Sequence, residues 1–165
     1  MTADDPTMAR IHEAVTLHHE GDPAAARNRL DALWAEISPD GDPFHQCVLA
    51  HHLADTQDDP HQELLWDQRA LAAADSVTDA RVKEHHSSLA IRGFYPSLHL
   101  NLAESYRRTG DPARAREHLA HARAFTGALG DDPYGHGIRA ALDRLADRLT
   151  DRLTQPATCE DPSRT

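Results

Sequence analysis

The sequence predicts an all-α protein built from antiparallel helical hairpins, and three observations predict it. Apolar residues recur three and four apart along most of the chain, the period of one helix face. Only eight of 165 residues are aromatic, and much of the apolar content is Ala and Leu. That mixture suits close helix packing better than a sheet, which favours Val, Ile and Tyr. Finally, seven of the ten prolines (Pro6, Pro23, Pro43, Pro60, Pro112, Pro133 and Pro162) directly follow an aspartate.

The Asp-Pro pairs set the elements. Aspartate is a strong N-cap because its carboxylate accepts the free amide hydrogens of the first turn. Proline fits the first helical position, where its missing N–H costs nothing, whereas in mid-helix it costs about 3 kcal/mol. The chain must therefore break before each pair and restart as a helix. Reading from these starts gives helices over 8–20, 23–37, 43–57, 60–75, 96–109, 112–128 and 133–153. Ala26, Leu30, Leu33 and Ile37 form one apolar stripe, and Ala115, Leu119, Ala122 and Phe125 form another. Connections as short as "EGDP" (20–23) and "TGDP" (109–112) permit only antiparallel neighbours.

Residues 1–7 read as an N-terminal extension to one helical domain, 8–153, with hairpins at 8–37, 43–75 and 96–128. Segment 76–95 reads as an insertion at a repeat junction, with helical character over 79–92. Helix 133–153 reads as a cap: Ile138, Leu142, Leu145 and Leu149 face inward while Arg and Asp alternate on the remainder, a water-facing pattern. The alternative use of that leucine stripe is a homodimer seam. Residues 154–165 read as a disordered polar tail.

Charge narrows the function. Twenty-seven acidic residues against 17 basic ones give a formal charge of −10. A phosphate backbone needs concentrated positive charge, so nucleic acid is not the expected partner. No apolar run is long enough to span a bilayer, and "MTADDPTMAR" lacks the basic and apolar segments of a signal peptide. Neither a membrane nor a disulfide framework is expected with two cysteines, and a cytoplasmic location is.

Three segments align on the hairpins: "EAVTLHHEGDP" (13–23), "LAHHLADTQDDP" (49–60) and "LAESYRRTGDP" (102–112). The last, extended as "NLAESYRRTGDPARAREHLAHA", resembles the tetratricopeptide repeat through Leu102, Ala103, Tyr106, Gly110, Asp111, Ala115, Leu119 and Ala122. The second unit departs from the pattern, with Glu63 and Asp67 where its neighbours carry Ala and Leu. The resemblance implies a short right-handed superhelix whose first helices line a concave groove for extended or helical segments of other proteins. It would place Val15, His18 and His19 from the first unit in that groove, with Phe44, Cys47, His51 and Asp55 from the second. From the third come Ser97, Leu100, Asn101, Glu104 and Arg108. Asn101 stands out because a carboxamide can hold a partner's backbone as both donor and acceptor. The expected function is a non-enzymatic scaffold binding a protein or peptide, with no cofactor. No GxSxG, GxGxxG or phosphate loop argues for catalysis.

Histidine is the compositional oddity, at 13 residues with adjacent pairs at 18–19, 51–52 and 85–86. Neighbours on a helix point about 100° apart, so one pair does not readily grip one ion. Ligands three or four apart do, as in His51–Asp55, Glu117–His121 and His118–His121. The alternative function is therefore a metal-dependent site or enzyme built from His51, Asp55, His85, His86 and Glu104, a donor set that suits zinc, nickel or iron. A third reading is a small-molecule pocket walled by Phe94, Tyr95 and His99.

Overall fold

The structure, a computed structural model, describes residues 5–80 and 85–154, and the side chains of all of these except 78–80, 85–90 and 152–154. Seven helices follow one another: α1 (Pro6–His19), α2 (Pro23–Ile37), α3 (Pro43–Asp55), α4 (Pro60–Ala80), α5 (His85–Arg108), α6 (Pro112–Ala124) and α7 (Pro133–Thr154). One 3₁₀ turn, Thr126–Ala128, follows α6, and there is no strand among the described residues.

Six of the seven helices begin on an Asp-Pro pair. Asp5 caps Thr7 and Met8, Asp22 caps Ala25, Asp42 caps Phe44 and Asp111 caps Arg114. The glycine before Asp22 and Asp111 explains how so short a linker reverses the chain. Gly21 and Gly110 have φ of 94° and 90°, the left-handed region in which a side chain is strained. Gly21 N–H donates to the His18 carbonyl (3.1 Å) and Asp22 N–H to the Leu17 carbonyl (3.0 Å). Gly110 and Asp111 repeat this toward Arg107 and Tyr106. These paired bonds close a helix C-terminus as a Schellman motif. One aspartate thus closes the first helix by its backbone and opens the second by its side chain.

Helix α1 begins at Pro6, inside the expected extension, α3 ends at Asp55 and not at 57, and the boundaries shift further at two junctions. The helix expected to begin at 96 begins at His85 and carries Pro96 in its interior, and α4 runs on to Ala80. What reads as an insertion is largely an extension of these two helices. Pro96 lacks an aspartate before it and is among the fully buried side chains, so apolar burial of the ring offsets the lost backbone bond. The helix expected to reach 128 ends at Ala124, with the 3₁₀ turn completing the stretch.

Helices α1 to α5 enclose one apolar cluster, including Ile11, Leu30, Leu49, Leu53, Trp66 and Leu98. Helices α5, α6 and α7 enclose a second, around Leu102, Tyr106, Leu119 and Leu145. Helix α5 contributes to both. Trp34 meets Trp66 edge-on at 5.0 Å between ring centroids, a favoured aromatic geometry. Leu142, Leu145 and Leu149 are each 2% exposed and pack into the second cluster. These three leucines of the stripe are therefore spent inside the chain. Residues 1–4 and 155–165 lie outside the described residues; of the expected tail, 154–165, only Thr154 is described, as the last residue of α7.

Candidate functional site

Where α3, α4 and α5 meet, polar side chains penetrate an otherwise apolar bundle. Asp67 sits on α4 at the register that leucine occupies in α2 and α6, and keeps the buried position: it is 3% exposed. A carboxylate there needs partners. Ser105 Oγ donates to Asp67 Oδ2 at 2.7 Å, and Asn101 adds a weaker donor. Burial nevertheless dominates and pushes the Asp67 carboxyl up to about 7, with Glu63 and Asp55 adding negative charge nearby.

Asn101 is the hinge of this arrangement. Its Nδ2 also lies 3.3 Å from His51 Nδ1 on α3, so the amide nitrogen faces two internal acceptors. No described residue donates to its oxygen. The His51 ring packs against Phe94 at 4.9 Å and against the His52 ring at 5.2 Å. Burial holds both imidazoles down, each to about 4, and for His52 the neighbouring His51 adds to this. Both rings are neutral at neutral pH. Asp55 lies one turn on, its carboxylate 3.9 Å from His52 Nδ1. Its carboxyl is raised by burial, against the opposing pull of His52, His18 and His19.

The other residues expected in the groove divide. His18 and Leu100 are half-buried and His19 is exposed. Phe44 packs on the first apolar cluster. Cys47 is fully buried, and burial, with Asp75 nearby, pushes its thiol up to about 12. Ser97 is 6% exposed and donates to the Phe94 carbonyl within its own helix, so the structure does not present it on a surface. Arg108 is paired with Glu63. Glu104 accepts from Arg107 at 2.7 Å and from Arg148 on α7 at 3.3 Å. Burial raises the Glu104 carboxyl, but these arginines outweigh it and the net shift is downward. Leu100, Asn101 and Glu104 face Arg144, Leu145 and Arg148 across a cleft of about 240 Å³ between α5 and α7.

Of the expected metal set, His51 and Asp55 come together, joined by His52, which the spacing rule had set aside. The ligand atoms of these three lie within 4.8 Å of one another. Glu104 is held instead by its arginines, and the side chains of His85 and His86 lie outside those described.

Elsewhere along α5, a cavity of about 670 Å³ is lined by Asp75, Arg92, Tyr95, His99, His121 and Phe125, among others. Tyr95 and His99 are two of the three expected walls, while Phe94 turns to His51 instead. Tyr95 stacks on Phe125 at 4.9 Å and donates to Asp75 at 2.7 Å. His99 lies between Phe125 and His118, its Nδ1 2.9 Å from His118 Nδ1. Burial, then His118 and His121, lower His99 to about 4. Sequence reading placed Phe125 on the core stripe; at 37% exposure it is a cavity wall.

The fold and this inner polar seam define a helical-hairpin repeat protein. A family model described as Tetratricopeptide repeat matches residues 7–32 and 96–121. These stretches cover α1 with most of α2, and the second half of α5 with most of α6, so the repeat resemblance read from the sequence holds at both. No curated protein and no solved structure matches the chain. Among the described residues no helix is long and apolar enough to cross a membrane.

Proposed function

We propose that this chain is a non-enzymatic scaffold that binds an extended segment of another protein or a peptide along the face of α1, α3 and α5. The tetratricopeptide repeat is a protein-interaction scaffold, which supplies the class. The observation that carries the reading is Asn101: internal acceptors on α3 and α4 orient its amide nitrogen, leaving an ordered carbonyl oxygen to accept a backbone N–H. Such preorganisation lowers the entropy lost on binding. The neighbouring cleft, with Leu100 on one wall and Arg144 on the other, offers an apolar contact beside a cation for side chains of the bound segment.

Affinity capture with the full-length chain as bait, followed by mass spectrometry, tests this. A partner retained by the wild-type chain and lost on Asn101→Ala, with helical content unchanged, is the expected result. Glu104 is a poor target because its loss frees Arg107 and detaches Arg148, mixing binding with folding. Equal retention by the Asn101→Ala chain sinks the reading.

A further inference from the structure

We propose that His51, His52 and Asp55 on α3 form a binding site for one borderline divalent transition-metal cation, zinc or nickel, with solvent completing its shell. The two histidines are adjacent in sequence and would ordinarily diverge by about 100°. Asp55 resolves this, being three residues from one and four from the other, and so faces both. The three ligand atoms already lie within 4.8 Å of one another. Bonds of about 2.0–2.1 Å in a tetrahedral shell bring such atoms to roughly 3.3 Å apart. Small side-chain rotations cover the difference. His52 and Asp55 are 26% and 44% exposed at their side chains, which gives a cation a way in.

Helix α1 carries three more histidines, His12, His18 and His19, near enough to act electrostatically. His18 and His19 both act on the Asp55 carboxylate, and His12 and His19 both act on His52. Three histidines, His52, His18 and His19, thus act on one carboxylate. Imidazole nitrogens with a single oxygen suit zinc, nickel or copper; magnesium and calcium want oxygen shells. A bound ion would cross-link one turn of α3. It would also reach Asn101, whose amide meets the same His51 ring at 3.3 Å. The site stands apart from the peptide-binding proposal, because metal uptake needs no partner protein.

Calorimetric titration of untagged, chelator-treated full-length protein with zinc, and separately with magnesium, tests the site. One equivalent of zinc and no magnesium uptake are expected. His52→Ala and Asp55→Asn each weaken zinc binding at least about tenfold, the loss typical of disturbing a metal site, while His136→Ala leaves it unchanged. Cobalt(II) added to the wild-type chain gives a visible absorption band of four-coordinate N/O ligation, a readout that needs no variant. No zinc uptake, uptake that ignores both variants, or cobalt without that band overturns the proposal.

Discussion

Replacing Asp67 with asparagine separates the charge of this buried carboxyl from its shape. The folded state holds its proton up to about 7, against an ordinary value of 3.8. Folding therefore binds a proton that the unfolded chain has already released. Stability from this group is fully present below about pH 4, is lost as pH rises toward 7, and is level above it. At about 1.4 kcal/mol per pKa unit, the full window amounts to roughly 4 kcal/mol. Between about pH 5 and pH 8 some two of those units are crossed, or ~2.7 kcal/mol. Asparagine keeps an oxygen for Ser105 and does not ionise, so it escapes this loss. Urea unfolding of both chains across that range is the assay. The free-energy difference is expected to move by ~2–3 kcal/mol in favour of Asp67→Asn as pH rises. A difference that stays flat with pH shows that Asp67 is not held neutral by burial.

Four other changes have defined outcomes. His99, lowered to about 4 by burial, stabilises the fold above about pH 6.5 and loses that contribution as pH falls toward 4. His99→Phe is expected to flatten the acid limb of the stability profile, and an unchanged slope contradicts the buried, neutral ring. Gly110→Ala meets no atom within 4 Å but keeps φ at 90°, so a loss of about 1–2 kcal/mol in chemical denaturation reports backbone strain alone. Asp111→Ala removes the Arg114 cap, for about 1 kcal/mol. Trp66→Ala breaks the edge-on pair and opens the first cluster, with an expected loss of about 3–5 kcal/mol followed by the emission of Trp34.

The helix starts were legible because aspartate capping and proline placement are local chemistry, complete within four residues. Helix α5 escaped the same reading because its start carries no such pair, and Pro96 looks like a boundary until its burial is known. Long-range pairings were illegible for a related reason. Asp67 marked a break in the repeat, but only the fold shows Ser105, 38 residues on, as its partner. His52 was set aside on a helical-angle rule that ignores the aspartate facing both histidines. Phe125 kept the period of its stripe but lies where α6 ends, beyond the packed face.

The 24-residue α5 lends side chains to both apolar clusters. In a solenoid whose modules touch only their neighbours, damage can stay local and the array frays from one end. Here a single rod is common property. The amino-terminal half cannot melt without withdrawing a wall from the carboxy-terminal half, so denaturation is expected as one sigmoid, and a cut between Gly93 and Asn101 would strand both pieces.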